Sequence, residues 1–556
     1  MAIASVSPNL RAHTSVGSDK PWFAPCLIVV AVIAGVLATG VRGADYPAHL
    51  LRAWVWERSG IGVWNNYWYG GHSTPGYSVI TPALTAWFGP VTVVAVASLM
   101  GTWAFSTLTD RLAPGPMTPV ANVVFALGAS VNIVVGRVPF ALGFALALSA
   151  LLAWQRGYVW VAAVLALVTP LASPVAAVFL GIAAGSVALD RFRHVRAGRL
   201  DPHRSTLCAA LVVGVAAVTP LLVVGVLFGS VGRFPFRTGH FLGSLVVIGF
   251  LVWRFDSRTV RTACVLSVIV SFAAWLVPNP LGGNFLRFAQ LVGIPLGVIA
   301  LAAIDDRRRR WFELLAVVGV GWAITPGVQA VVAWSGDEST AVEYHLPLID
   351  QVEARNRDGR SLGRLEIPFT DNHWETWFVA TEVPYARGWE RQVDLDRNEE
   401  LYELDSDQLT IEDYHAWLHR NAVRWIARPG VALDEGGVAE AEVVDQEGSV
   451  GDIPWLRPVW RNDNWKLYEV LDYVPIVDPP AVLVRYGADV VVVFTDQAAE
   501  VTVRFGHSGG LEIDGGACLV EDPDGWIVAR LPSPGTYHIV VEAHEALPSV
   551  ESDDCT

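Results

Sequence analysis

Lysine is nearly absent: the chain has two, Lys20 and Lys466, and its other basic side chains are arginines. Such a preference is expected of a GC-rich coding sequence and needs no functional reading. The net charge of −15 comes mainly from the last two hundred or so residues, so no basic face is offered to a polyanion and nucleic acid is set aside as a partner. Cysteine is scarce and scattered. Cys26, Cys208 and Cys264 fall inside apolar runs and read as packing residues; Cys518 and Cys555 could pair if the tail is extracytoplasmic, which spacing alone does not decide. No Cys-x-x-Cys or His-x-x-x-His spacing suggests a structural metal, and there is no internal repeat or low-complexity tract.

Charge is also what the middle of the chain lacks. Residues 22 to about 335 are almost continuously apolar, broken only by short charged loops. Length alone would allow three or four soluble domains. The apolar runs argue instead for one polytopic membrane domain followed by soluble ones. Residues 1–21 are polar and read as a disordered cytoplasmic start. A first span at 22–41 competes with a cleaved signal peptide, but it is long enough to cross the bilayer, and many more spans follow it.

Further spans are expected at 78–106, 117–134, 138–154, 158–170, 172–189, 207–229, 240–254, 259–277, 289–304 and 311–334, since about twenty apolar residues cross the hydrocarbon core. The first of these contains Pro82 and Pro90 and predicts a kinked or broken helix; the pair around Thr169-Pro170 is tight enough to be a re-entrant hairpin. Together these make about eleven crossings. With the N-terminus in the cytoplasm, inside loops hold Arg111, Arg156, the run from Arg191 to Arg204, Arg254, Arg258, Arg261 and Arg307 to Arg310. Outside loops hold fewer. The asymmetry puts the loop after the first span, and the whole tail, outside.

The acidic tail divides in two. Residues 336–475 read as a mixed α/β domain: a strand at Gly363–Pro368, a helix at Thr410–Asn421 capped by Thr410, and a strand at Val423–Ile426. Residues 476–548 alternate apolar and polar positions between Gly- and Asp-rich turns, the pattern of a β-sandwich, so 476–556 reads as a sandwich domain with a short tail.

The residues with most chemical potential lie in the first outside loop. Asp45-Tyr-Pro-Ala-His49 opens it, and a run of aromatics and glycines from Trp64 to Tyr77 follows. Alone, Asp45 reads as a carboxylate capping a helix that starts near Pro47. Three neighbours shift that reading. His49 lies four residues on, and would share a helical face with Asp45. The aromatic loop suits a groove for a sugar or an isoprenoid. A basic counterpart, Asn284-Phe-Leu-Arg287, stands on another outside loop, available for a phosphate or for snorkelling to lipid headgroups.

In this order the features resemble the GT-C glycosyltransferase superfamily, and more narrowly its bacterial and archaeal membrane proteins labelled 6-pyruvoyl-tetrahydropterin synthase-related, a label from which no pterin chemistry is inferred. The matching residues are Asp45-Tyr-Pro-Ala-His49-Leu, Trp68-Tyr-Gly-Gly71 with Tyr77 and Pro82, Asn284-Phe-Leu-Arg287-Phe, Gly363-Arg364, Arg387-Gly-Trp-Glu-Arg-Gln392, Tyr414-His-Ala-Trp-Leu and Val423-Arg-Trp. They cover most of residues 22–475. The resemblance implies a GT-C-like helical membrane domain at 22–335 and an enzyme of the plasma membrane. It would transfer a sugar from a polyprenyl-phosphate donor to a cell-envelope glycan or lipid acceptor on the outer face, inverting the anomeric centre. Asp45 would be the general base, with His49 orienting it or binding phosphate. Arg287 and Asn284 would hold the donor phosphate, and Trp68, Tyr69, His72 and Tyr77 would bind sugar or acceptor; Arg387 and Glu390, in a charged cluster with Arg391 around Trp389, read first as salt bridges pinning the tail to the membrane domain and second as acceptor-binding residues. Asp45 lacks the adjacent second acid of many members, which leaves the use of a divalent cation (Mg or Mn) open. The competing class is a transporter or flippase, or a non-catalytic scaffold, for lipid-linked envelope glycans. A transporter should carry mid-membrane charges and paired repeats, and neither is evident.

Overall fold

A computed structural model describes residues 20–198, 203–228, 232–304, 306–402, 409–446, 453–508 and 510–541. The polar start expected at 1–21 lies almost wholly outside these residues, as does Cys555. The chain forms two compact units. The first runs to Tyr46 and includes Tyr77–Val226 and Arg233–Val332; the second comprises Pro47–Gly76, Leu227–Gly232 and the chain from Ala333 onward. The loop segment 47–76, which the sequence groups with the membrane domain, thus belongs to the second unit.

The first unit is helical. Among the described residues, eight helices are long and apolar enough to cross a membrane: Pro90–Leu112, Thr118–Val135, Val138–Gln155, Pro174–Arg196, His203–Leu227, Arg258–Leu276, Gly282–Ala303 and Arg309–Trp334. They mark a multi-pass membrane protein. Phe23–Thr39, Val159–Ala172 and Thr238–Arg254 are apolar but shorter, so eight of the expected spans meet the length requirement. The expected span at 78–106 is two helices, Thr81–Phe88 and Pro90–Leu112, broken where Gly89 adopts φ 78° ahead of Pro90. Pro82 merely opens the first of them, where its missing N–H costs nothing.

Two features suit these helices to lipid. Their outer faces are apolar: Trp160, Val226, Val246, Trp311 and Val332 are all exposed, an arrangement water would penalise. Their hydroxyls bond back to carbonyls one turn earlier, as Thr107 does to Trp103 (2.7 Å), Ser130 to Ala126 (2.8 Å) and Thr169 to Leu165 (2.8 Å). Inside, small residues permit close approach, Gly101 facing Ala145, while Phe105 stacks on Phe125 with centroids 4.0 Å apart.

The second unit has two cores. One surrounds a four-stranded sheet ordered Arg364–Glu366, Val423–Pro429, Trp465–Val470, Leu456–Arg461, parallel only at its first pairing. Alternation along the strands sorts its faces. Trp425, Ala427, Trp465 and Leu467 pack with Tyr344, Leu348 and Val352 of the helix Val342–Asn356 and with Leu51 and Val55. Ile426, Tyr468 and Val470 pack with Tyr414, Trp417 and Leu418 of the helix Ile411–Arg420. That helix begins as its sequence predicts, with Thr410 Oγ1 accepting from Asp413 N–H at 3.0 Å. The other core lies between two antiparallel sheets, one of Val482–Tyr486, Val490–Thr495, Leu511–Ile513 and Gly535–Val541, the other of Ala499–Gly506, Cys518–Glu521 and Trp526–Leu531. Val491, Val493, Val503, Phe505, Ile527 and Ile539 meet there. Cys518 is disulfide-bonded, whereas Cys26, Cys208 and Cys264 are free thiols.

Candidate functional site

Asp45 lies just past the first apolar helix, on a short stretch bound to the turn between Thr118–Val135 and Val138–Gln155. Gly43 N–H donates to Val134 O (2.9 Å), Asp45 N–H to Val135 O (3.2 Å), and the Tyr46 hydroxyl to Ile133 O (2.6 Å). Two glycines allow this approach. A Cβ on Gly43 would meet the Val135 backbone at 2.8 Å, and one on Gly136, which has φ 94°, would meet the Tyr46 ring at 2.7 Å. Backbone hydrogen bonds therefore set the position of Asp45 and leave its half-buried carboxylate uncommitted. Among the described residues it forms no ion pair.

Arg137 follows Gly136 in the same turn, and Arg287 stands in the second turn of the irregular helix Gly282–Ala303, which tightens over Gly282–Phe285 and widens over Ala289–Gly293. Such widened turns recur at functional sites. Asp45, Arg137, Arg287 and Tyr77 lie within electrostatic range of one another: both arginines sense the carboxylate and the phenol, and Arg287 also senses Arg137. The Arg287 guanidinium lies 4.7 Å from the centre of the Phe140 ring. Arg137 Nε is buried and has no hydrogen-bond partner among the described residues. Two guanidinium groups within electrostatic range of one carboxylate leave net positive charge where an anion can settle, with a base in the same group. The sequence gives Asp45, Arg287 and Tyr77 as candidates. It misses Arg137, whose only signal is an arginine directly after a glycine in a two-residue turn. Asn284 is buried one turn before Arg287, its amide near Pro280 O (3.5 Å).

The remaining candidates belong to the second unit. Trp68 is fully buried, its indole N–H donating to Thr376 O (3.1 Å), and Gly388 lies so close that a Cβ there would strike the ring at 2.3 Å. The Tyr69 hydroxyl donates to Gly388 O (2.6 Å). His72 is buried and stacked on Trp68 with 15° between planes; burial first, then Arg52 and Arg397, hold its pKa down to about 3, so it is neutral. These three are core residues, almost wholly closed to solvent: the aromatic loop fills the interior of the second unit instead of lining a groove. His49 is likewise buried. Glu390 forms a buried ion pair with Arg52, tying segment 47–76 to the tail. Arg387 is fully buried, bonded to Asp394 (2.6 Å), Glu440 (2.7 Å), Gly436 O (3.1 Å) and the Tyr402 hydroxyl (3.0 Å), over the face of Phe369. Its hydrogen bonds are spent within the fold, so it is not offered to an acceptor; Glu390 Oε1 is buried and has no hydrogen-bond partner among the described residues.

Buried carboxyls in this unit give a pH signature. Burial pushes Glu375 up to about 8, against the Thr370 hydroxyl (2.6 Å) and N–H (3.1 Å) that favour its charged form. The folded chain therefore holds a proton at neutral pH that an unfolded chain, with the carboxyl near 4.5, has released. That contribution to stability is whole below the unfolded value and declines until the folded value is passed. Glu375→Gln, with a permanently neutral amide, should match the parent in melting temperature near pH 5 and exceed it increasingly up to pH 8. Parallel melting curves across that range would refute the assignment.

Compared with known proteins, the chain matches no protein-family model and no curated sequence.

Proposed function

We propose that the chain is a membrane glycosyltransferase that moves a sugar from a polyprenyl-phosphate donor to an envelope glycan or lipid acceptor on the outer face of the plasma membrane. The observation carrying this reading is the grouping of Asp45 with Arg137 and Arg287 at the ends of apolar helices. A polyprenyl-phosphate sugar carries its anion where its lipid ends. Asp45 accepts the proton of the acceptor hydroxyl as that oxygen bonds to C1 of the sugar. The bond from C1 to the phosphate oxygen breaks, its electron pair stays on the phosphate, and the arginines neutralise the charge that develops. Attack opposite the leaving group inverts the anomeric centre. Guanidinium groups supply here the charge that a divalent cation would otherwise bring. The arginine distribution favours an outer location for Asp45, and the Cys518 disulfide favours an oxidising compartment for the tail.

The test is incubation of the purified full-length chain with a panel of radiolabelled polyprenyl-phosphate sugars, scoring transfer or hydrolysis. One donor should be consumed with release of polyprenyl phosphate. Arg287→Gln and Arg137→Gln should each lower kcat/KM by about 10- to 100-fold, the worth of one charged hydrogen bond. Consumption of no donor, or unimpaired turnover by both variants, counts against the reading.

A further inference from the structure

We infer that the second unit carries a site for a divalent transition metal of the zinc class, built from His415, His419 and Asp472. The inference is independent of the transferase reading. His415 and His419 have the His-x-x-x-His spacing from which the sequence alone suggests no metal, and the third member, Asp472, lies far along the chain.

The helix Ile411–Arg420 buries Tyr414, Trp417 and Leu418. His415 and His419 are four residues apart, one helical turn, so their side chains emerge side by side at the edge of that buried face. Asp472 sits in the turn after the strand Trp465–Val470. The turn is fixed by Leu471 N–H donating to Trp455 O at 2.8 Å, and the Trp455 ring stacks on His415, 4.3 Å between centroids and 8° between planes. One tryptophan thus sets both the imidazole and the loop that brings the carboxylate.

The donor atoms have metal-ligand spacing. His415 Nε2 is 3.1 Å and His419 Nε2 3.5 Å from the same oxygen, Asp472 Oδ1, and one ligand atom from each residue lies within 4.8 Å of the others. Ligands bound about 2.0–2.1 Å from zinc at tetrahedral angles stand roughly 3.3–3.4 Å apart. Without an ion the arrangement is incomplete. His415 hydrogen-bonds Asp472, but His419 Nε2 is buried and has no hydrogen-bond partner among the described residues. A cation between the three would satisfy both nitrogens and share the carboxylate oxygen.

Two imidazoles and one carboxylate suit zinc, cobalt or nickel; calcium and magnesium prefer oxygen throughout. Asp472 is about half exposed, with a side-chain exposure of 53%, so a fourth position faces solvent and can take water. Bound there, the ion would clip the helix Ile411–Arg420 to the turn after the sheet's third strand.

The experiment uses the full-length chain in detergent, stripped with chelator and titrated with Co²⁺, reading visible d–d absorption, and with Zn²⁺ by equilibrium dialysis in excess Mg²⁺. One tight equivalent with a tetrahedral cobalt spectrum is expected. His419→Gln and His415→Gln should each weaken it at least about tenfold, and the double variant should abolish the spectrum. Each variant's melting temperature without metal is measured alongside, and a zinc-induced rise in the parent should vanish in the double variant. The proposal is overturned if no equivalent survives magnesium competition, or if parent and double variant bind alike, which would assign the cation to the acidic surface.

Discussion

Asp45→Asn should lower the rate of sugar transfer by about 10²–10⁴-fold, the usual contribution of a positioned general base. Asparagine keeps the shape of the side chain but cannot take the acceptor's proton. The substitution is clean because Asp45 is held by its own backbone, through the N–H bond to Val135 O and the neighbouring bonds of Gly43 and Tyr46. None of these involves the carboxylate. Fold and membrane insertion should therefore be retained, with a melting temperature close to the parent's. The donor KM should stay the same or fall, since removing a negative charge beside Arg137 and Arg287 leaves phosphate binding intact or stronger. A fall in kcat with an unchanged or lower KM is the expected signature. Normal transfer by a folded variant removes Asp45 as base.

Arg387→Met should destabilise the second unit by about 3–5 kcal/mol, the cost of breaking a buried ion group by removing one partner. Arg387 faces Asp394 and Glu440 directly, with Glu366 3.7 Å away, all fully or almost fully buried. Without the guanidinium, carboxylates are left in a medium that solvates them poorly and beside each other. Burial already pushes Glu440 up to about 7 and raises Glu366 too, so the cost should be smaller in acid, where both can take protons. Adding Glu440→Gln should recover part of the loss. Thermal unfolding of the full-length variants at two pH values checks both statements. A change under about 1 kcal/mol would mean that the cluster is solvated.

Much of this architecture is legible locally and little of the site is. The helix capped by Thr410 could be read because its cap, stripe and length lie within twelve residues. The break before Pro90 was visible as a proline, although its position depends on Gly89 taking a left-handed conformation. Trp68 and Tyr69 misled for a physical reason. Aromatics in a polar loop read as a groove, but their partners, Thr376 and Gly388, are more than three hundred positions away. Composition cannot tell a ring that stacks on a ligand from one that fills a distant core. Arg137 was hidden similarly: its charge is plain, but only Gly43 and Gly136, by admitting a close approach, bring Asp45 to its turn.

The ion pair of Arg52 with Glu390 spans 338 positions, and this shapes how the protein can be made. On the ribosome, segment 47–76 emerges early, while Glu390, Thr376 and Gly388 have yet to be synthesised. Its tryptophan and tyrosine must wait, uncovered, until most of the polypeptide has been translated. Expressing the chain from Ala333 onward by itself would leave a vacancy where the early segment belongs, so the tail is not an autonomous module that can be cut away and studied alone.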